Sequence, residues 1–171
     1  MSTPLSYFQS IPWCADSLKH PDFRLHSSSE SNPFREATKS NDTVKDRAFI
    51  YRASQNANGA ESEGFMMMEV GYGISGRDGI AHGGFLATLM DEVTGGLIGA
   101  LALDHGHGMR TASLNISYHK PLFARGYIIA RAEVTKVERR KVWVKADIRD
   151  ADGNICTTAE ALFVMNRPSH C

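Results

Sequence analysis

One segment of the chain combines backbone and side-chain groups that could polarise and attack a carbonyl group. It runs from Gly79 to Asp91 and reads Gly-Ile-Ala-His-Gly-Gly-Phe-Leu-Ala-Thr-Leu-Met-Asp. Its glycines let a substrate approach the backbone closely. A helix that begins at Gly83 has unpaired N–H groups and a positive dipole end in its first turn. The acid within the same helix can act as a base, so the segment predicts chemistry at a carbonyl carbon.

Each of these residues also has a purely structural explanation. From Gly83 to about Leu103 the residues are mostly apolar or small, and the large apolar ones recur at three- and four-residue steps. This pattern predicts a helix that is buried on most sides. Asp91 and Glu92 are its only ionisable residues, and a buried carboxylate needs a partner or a function. Taken alone, His82 is explained by local capping, and Asp91 by a structural ion pair or an interface hydrogen bond.

Spacing separates the backbone donor from the acid. Gly83 and Asp91 are eight residues apart, which corresponds to about 12 Å at the rise of an α-helix. One carbonyl group cannot contact both. If both residues act on one substrate, the acid must come from a second copy of the chain whose helix runs antiparallel to the first. A two-fold dimer then contains two composite sites, because every contact in such an interface occurs twice.

Several motifs of the chain resemble those of the hotdog-fold acyl-CoA thioesterases. They are His82-Gly83-Gly84 with Asp91 nine positions after the histidine, the run from Thr111 to Pro121, and the run from Lys136 to Lys141. The resemblance covers roughly residues 45–166. Within the family the chain looks like the branch related to thioesterase superfamily members 4 and 5 and to the phenylacetate-pathway thioesterases.

The resemblance implies a role for each of four residues. The N–H of Gly83 polarises the thioester carbonyl, and His82 shapes the loop before it. Asp91 of the opposite subunit activates water or attacks as a nucleophile, and Thr111 helps to position the water. Some relatives carry an asparagine six residues before the histidine, where this chain has Gly76. Whatever that side chain contributes must be supplied elsewhere or omitted.

Substrate contacts are less clearly indicated by the sequence. Basic residues near strand ends, Lys120, Arg125 and the turn Arg139-Arg140-Lys141, are candidates to bind the phosphates of CoA, although charged turn residues are commonly just solvated. Methionine adapts to varied shapes, which suits a fatty or aromatic acyl group, but the same residues could equally form the core. The residues expected near the acyl part of the substrate are Gly84, Phe85, Leu86, Met90 and the run Met66-Met67-Met68.

The pattern around this segment predicts an α+β fold with antiparallel strands. Residues 48–53 and 64–71 are the expected opening strands. After the helix, residues 128–135 and 141–149 alternate apolar and polar side chains with period two, as half-buried strands do. A turn at Asp150 to Asn154 leads into a last strand that ends near Met165. An antiparallel sheet wrapped around one long central helix, which is the hotdog arrangement, fits this order.

The first part of the chain differs in character from the rest. Residues 1–45 are predicted to form an N-terminal extension with a short helix begun at Pro12 and a linker over 27–33, and residues 46–171 to form the hotdog domain. The aromatic residues of the extension could cover a sheet face or one end of an acyl tunnel, or simply pack. They are Phe8, Trp13 and Phe23.

Composition limits the classes of function. The chain has 171 residues with 19 basic and 19 acidic side chains, and this zero formal charge argues against bulk binding of nucleic acid or of an anionic membrane. No apolar run reaches the roughly 20 residues of a membrane span, so no membrane insertion is expected. Three cysteines and no secretory signal favour a reducing compartment. The expected location is the cytoplasm, with a mitochondrial one still open.

Three motifs suggest other functions but lack the required context. Gly71-Tyr-Gly-Ile-Ser-Gly76 matches a dinucleotide-binding pattern, yet the predicted helix begins seven residues later and no parallel strand–helix–strand unit surrounds it. Asp104-His-Gly-His107 lacks the further ligands of a metal site. Asp150-Ala-Asp-Gly-Asn154 begins like a calcium loop but has alanine at its twelfth position.

The motifs together predict a homodimer, or a dimer of dimers, that hydrolyses an acyl thioester. Acyl-CoA is the expected substrate, and neither a metal nor a redox cofactor is expected. Two alternatives remain open. One is a biosynthetic enzyme of the same fold that acts on an acyl or polyketide chain bound to a carrier protein, and the other is a noncatalytic dimer that binds acyl-CoA. The hydratase-like signatures of the wider fold do not occur in the chain, which disfavours dehydration.

Overall fold

The protein is described by a computed structural model over residues 3–26, 33–56 and 58–167. The helices are α1 (Pro4–Gln9), α2 (Pro12–Leu18), α3 (Pro33–Ala37) and α4 (Gly83–Ala100). The strands are β1 (Arg24–Leu25), β2 (Val44–Arg52), β3 (Glu63–Val70), β4 (Ser75–Arg77), β5 (Ile80–Ala81), β6 (Met109–Tyr118), β7 (Gly126–Glu138), β8 (Lys141–Arg149) and β9 (Ile155–Met165). The predicted linker lies outside the described residues, except for its last residue, Pro33.

Seven of these strands form one antiparallel sheet against which α4 packs. Their order is β1-β2-β3-β7-β8-β9-β6, and β4 and β5 form a separate hairpin just before α4. The strand that follows α4 in the chain, β6, therefore pairs with β9 at the edge of the sheet and not with its sequence neighbour β7. The predicted α+β fold, with an antiparallel sheet around one long helix, is confirmed.

Packing of α4 follows from its sequence pattern. Its apolar residues recur on one side and are buried against the sheet; they are Leu86, Leu89, Met90, Val93, Leu97 and Ile98. Small residues and one acid occupy another side, which is incompletely buried; they are Gly84, Ala87, Asp91, Gly95 and Gly99. The helix is therefore buried on most sides, as expected, and this stripe is its open side. The helix also ends at Ala100 and not near Leu103, and Ala102 adopts a left-handed conformation just beyond it.

The outer face of the sheet has its own apolar cluster. Phe8, Cys14 and Leu18 from α1 and α2 are buried there against Ile50, Phe65, Met67 and Ile129. Because side chains alternate along β3, Met66 and Met68 instead face α4 and join the central core. The Met66-Met67-Met68 run therefore faces both sides of the sheet, so it cannot line a single tunnel.

Trp13 connects the N-terminal extension to the turn between β8 and β9. Its indole Nε1 donates a hydrogen bond to the carbonyl of Ala151 at 2.8 Å. The turn between β8 and β9 can approach the indole because Gly153 has no side chain: a Cβ there would lie 3.0 Å from the ring. The short helix predicted at Pro12 is confirmed. Of the three predicted aromatic residues, Phe8 and Phe23 pack on this face of the sheet, whereas Trp13 is more exposed and contacts the β8–β9 turn.

Within the described residues, no helix is long and apolar enough to cross a membrane. No group of three or more histidine, cysteine, aspartate or glutamate side chains is arranged there to hold a metal ion.

The buried position of Phe8 predicts that the extension stabilises the whole domain. Phe8 is 0% exposed, and truncation of such a residue leaves a cavity, so Phe8→Ala should lower the free energy of unfolding by about 3–5 kcal/mol. Leu25→Ala, at a position in the same extension that is 65% exposed, should change it by less than about 0.5 kcal/mol. Urea unfolding measures both. Equal small effects would mean that the extension packs too loosely to contribute.

Candidate functional site

The first turn of α4 is shaped by His82, its N-cap. His82 has an extended backbone (φ −63°, ψ 132°), and its Nδ1 accepts a hydrogen bond from the N–H of Gly84 at 3.0 Å. The N–H of His82 itself donates to the carbonyl of Ile74 at 2.8 Å. Among the described residues, we find no acceptor for the N–H of Gly83. The cap therefore satisfies the second helical residue and leaves the N–H of the first one available to a ligand.

Gly76 lies directly against the histidine. A Cβ at this position would stand 3.0 Å from His82 Cδ2 and 3.3 Å from His82 Cα. A side chain at this position would therefore require His82 to shift by a few tenths of an ångström. Gly76 thus allows the loop to lie close to the capping histidine.

The preceding glycine-rich loop has a structural explanation. A Cβ at Gly71 or Gly73 would clash with the carbonyl of Asp42, so both glycines allow two chain segments to touch. A single 3-10 turn, Tyr72–Ile74, follows Gly71, and α4 begins only at Gly83. The motif therefore forms a turn that leads into β4, and within the described residues no parallel strand–helix–strand unit surrounds it.

Asp91 lies on the flank of α4 that faces β6. Its Oδ1 accepts a hydrogen bond from the hydroxyl of Thr111 at 2.9 Å. The carboxylate is half-buried, so the expectation of a buried acid is wrong: the helix stripe that carries it is open. The neighbouring Glu92 lies on the opposite flank, where its Oε2 pairs with Arg35 Nε of α3 at 2.6 Å. The two adjacent acids therefore have different environments, and Asp91 keeps one carboxylate oxygen, Oδ2, without a partner among the described residues.

The strand β6 contacts α4 at a second point that the sequence did not indicate. The hydroxyl of Tyr118, the last residue of β6, donates a hydrogen bond to the carbonyl of Gly83 at 2.8 Å. At the other end of β6 the pairing with β9 shifts by one residue between Thr111 and Ser113. The alternation from Leu114 through Ile116 to Tyr118 was the available signal, since these residues share one face of β6. Leu114 and Ile116 on that face pack against the core, and Tyr118 lies beyond them at the end of the strand.

The sequence-predicted catalytic residues form two separate groups within one chain. His82 and Gly83 lie at the start of α4, beside the predicted substrate-binding residue Gly84, while Asp91 and Thr111 meet about two helical turns away.

The predicted substrate-binding residues are dispersed. Met90 lies on the buried side of α4 and is 0% exposed. Gly84 is exposed, and Phe85 is half-buried beside α3. Lys120 follows Tyr118 by two residues, and its Nζ lies 3.5 Å from Asn154 Oδ1 in the turn between β8 and β9.

The turn Arg139-Arg140-Lys141 lies at the end of the sheet opposite Lys120, level with the strand residues next to Thr111. Lys141 pairs with Val164, which in turn pairs with Arg110 of β6. Arg140 donates a hydrogen bond to the carbonyl of Met165 at 2.9 Å, so its guanidinium already has a structural partner. Arg139 and Lys141 are exposed.

The two described cysteines are unsuited to nucleophilic chemistry. Cys14 and Cys156 are free and buried. Burial raises the pKa of both thiols above their ordinary value, which keeps them in the unreactive protonated form.

Comparison with known proteins finds relatives of the central part of the chain. Residues 78–157 match the family model of the Thioesterase superfamily. Acyl-coenzyme A thioesterase THEM4 of Mus musculus is 33% identical over 112 residues, which are 65% of this chain and 46% of that protein. The chain thus spans about half the length of the curated relatives it matches.

Two solved structures share the fold. A phenylacetic acid degradation-related protein of Ralstonia eutropha JMP134 has a TM-score of 0.62 at 23% identity, over 81% of this chain and 94% of that one. A protein of Bacillus halodurans, solved with CoA, has a TM-score of 0.51 at 22% identity, over 58% of this chain and 65% of that one.

The contact between Gly76 and His82 predicts a specific effect of one methyl group. Gly76→Ala should push His82 from its capping position and lower the free energy of unfolding by about 1–3 kcal/mol, as overpacking does. Gly96→Ala, within α4 and 3.8 Å from its nearest neighbour Phe49, should raise it by about 0.5–1 kcal/mol. Urea unfolding and the NMR shift of the Gly84 amide report both changes. An unmoved Gly84 signal in Gly76→Ala would contradict the packing argument.

Proposed function

We propose that this chain, whose residues 78–157 match the model of the thioesterase superfamily, hydrolyses an acyl thioester, with acyl-CoA as the substrate, at sites shared between two subunits of a homodimer. The observation that carries the proposal is that one helix holds two suitable groups: the N–H of Gly83, for which the described residues offer no acceptor, and the carboxylate of Asp91, which is bound by Thr111. The name of the THEM4 relative and the CoA in the Bacillus halodurans structure support the choice of acyl-CoA.

A second copy of the chain supplies what one copy lacks. Along α4, Gly83 and Asp91 are separated by about 12 Å, too far for one carbonyl carbon. The incompletely buried stripe of α4 consists of small residues around Asp91, and small side chains allow two helices to approach closely. Within the described residues the outer edge of β6 has no partner strand, and an unpaired edge is a template for pairing with another chain. A two-fold dimer with antiparallel α4 helices uses both features and brings each Asp91 toward the other subunit's Gly83.

The proposed reaction uses the two groups in sequence. The N–H of Gly83 and the dipole of α4 stabilise the negative charge that develops on the thioester oxygen. Asp91 of the other subunit accepts a proton from a water molecule through its free Oδ2, while Thr111 holds Oδ1. The water oxygen bonds to the carbonyl carbon, the carbon–sulfur bond breaks, and the sulfur takes up the proton. The products are a carboxylic acid and a free thiol.

The shared site can be tested with two variants that each remove one half of it. Gly83→Pro deletes the N–H, yet proline is favoured at the first helical position and the extended His82 is compatible with a following proline. Asp91→Asn removes the base. Each homodimer should lose hydrolysis by about 10²-fold or more. The heterodimer of the two variants should regain about half of the wild-type rate, because one of its two composite sites is intact.

The controls separate the shared site from its alternatives. Gly96→Ala, in the same helix and with Phe49 as its nearest neighbour at 3.8 Å, leaves both groups in place and should hydrolyse at close to the wild-type rate. A thiol-release assay over short, long and aromatic acyl-CoAs measures every variant. A heterodimer that is as slow as the two variant homodimers would contradict the shared site. Binding of acyl-CoA by the wild type without thiol release would favour the noncatalytic alternative.

Recognition of the CoA nucleotide is proposed for the exposed part of the turn between β7 and β8. Across the paired strands, Arg139 and Lys141 lie level with the residues next to Thr111. They therefore flank the half of the proposed site that contains Asp91. The double substitution to alanine should raise KM for acyl-CoA about 10-fold by loss of two exposed ionic contacts. KM for the matching S-acyl pantetheine, which lacks the nucleotide, should stay unchanged. An equal rise for both substrates would contradict phosphate binding; Arg140 is left intact because it bonds to Met165.

A further inference from the structure

We propose that Tyr118 is a positioning residue that fixes the direction of the Gly83 N–H. This inference rests on the proposed function of that N–H as the donor to the thioester oxygen. The Tyr118 hydroxyl donates to the carbonyl of Gly83 at 2.8 Å, and His82 Nδ1 accepts from the N–H of Gly84 at 3.0 Å. These two backbone atoms belong to the same peptide group, so side chains hold both polar ends of the peptide that follows Gly83.

The peptide that precedes Gly83 is held as well. The carbonyl of His82 accepts a hydrogen bond from the N–H of Leu86 at 3.1 Å, and the N–H of His82 donates to Ile74. Gly83 therefore lies between two fixed peptide groups. Because glycine can rotate about its backbone bonds with little steric restriction, these anchors are what orient its N–H. A donor to a developing negative charge is effective only when it is oriented before the reaction.

A role in core packing does not account for Tyr118. Its side chain is 54% exposed, so its ring contributes little buried area. The ring lies beside Gly83, with its Cζ and Oη both 3.6 Å from the place where a Cβ would stand. Its hydroxyl is the group that makes a specific bond, and that bond is directed at a backbone carbonyl.

The same strand holds the other half of the site. Thr111 of β6 bonds to Asp91 and Tyr118 of β6 bonds to Gly83, so one edge strand contacts both functional points of α4. In the proposed dimer, each composite site would receive a Tyr118-held Gly83 from one subunit and a Thr111-held Asp91 from the other. Pairing of β6 with its counterpart would then stabilise both halves at once.

Removal of the phenolic oxygen tests this role. Tyr118→Phe should lower kcat for acyl-CoA about 10-fold, less than the loss expected when the donor itself is deleted, with KM within about twofold of wild type. Tyr118→Leu should be as slow as Tyr118→Phe if the hydroxyl matters. Tyr7→Phe, at a stacked tyrosine on the outer face of the sheet, is the matched control and should match the wild type. A fast Tyr118→Phe beside a slow Tyr118→Leu would show that only the ring matters and would overturn the proposal.

A second readout does not depend on catalysis. In Tyr118→Phe, hydrogen exchange at the amide of Gly84, followed by NMR, should be faster than in wild type and Tyr7→Phe, because one anchor of that peptide group is gone. Unchanged exchange would overturn the positioning role. Failure of the proposed function would be seen separately, as the absence of thiol release by the wild-type protein.

Discussion

One-sided burial of α4 against the sheet is the constraint on which the rest of the structure depends. Its large apolar residues, from Leu86 to Ile98, are fully buried, and they fix the helix across the central strands. Burial of this size dominates the stability of a small domain. The start of the helix is thereby fixed beside the β4–β5 hairpin, and Asp91 is directed toward β6. The proposed chemistry is possible because the packing side and the functional side of the same helix do not overlap.

Different segments of the chain pack on the two faces of the sheet. The inner face receives α4 and the outer face receives α1 and α2, with Trp13 reaching as far as the turn between β8 and β9. The short helix α3 adds a third contact, an ion pair from Arg35 to Glu92 on the flank of α4 away from β6. Helices α1 and α2 thus cover the outer face of the sheet, whereas α3 lies beside Phe85 and Glu92 on the flank of α4 opposite β6.

Periodic patterns in the sequence were sufficient for most of the fold. The alternation in β7 and β8 and the helical repeat after Gly83 depend on local geometry, so they are readable without knowledge of partners. The residue types around Asp91 were equally informative, because an acid in an apolar helix requires an explanation. The openness of its surroundings was not readable, since burial depends on which strand lies alongside. That strand is β6, and its placement beside β9 is set by non-local pairing. For the same reason, the sequence places Tyr118 in the run from Thr111 to Pro121 but does not predict its hydrogen bond to the carbonyl of Gly83.

The one-residue shift in β6 has a consequence for which way its side chains point. Thr111 and Tyr118 are seven positions apart, and in a regular strand an odd separation places two side chains on opposite faces. The extra residue, Ala112, restores the parity: Thr111 pairs with the core residue Phe163, and Tyr118 pairs with the buried Thr157. Without that bulge, one of the two hydroxyls would turn to the outer face of the sheet. A single inserted residue is therefore what allows one strand to reach the same helix at both ends.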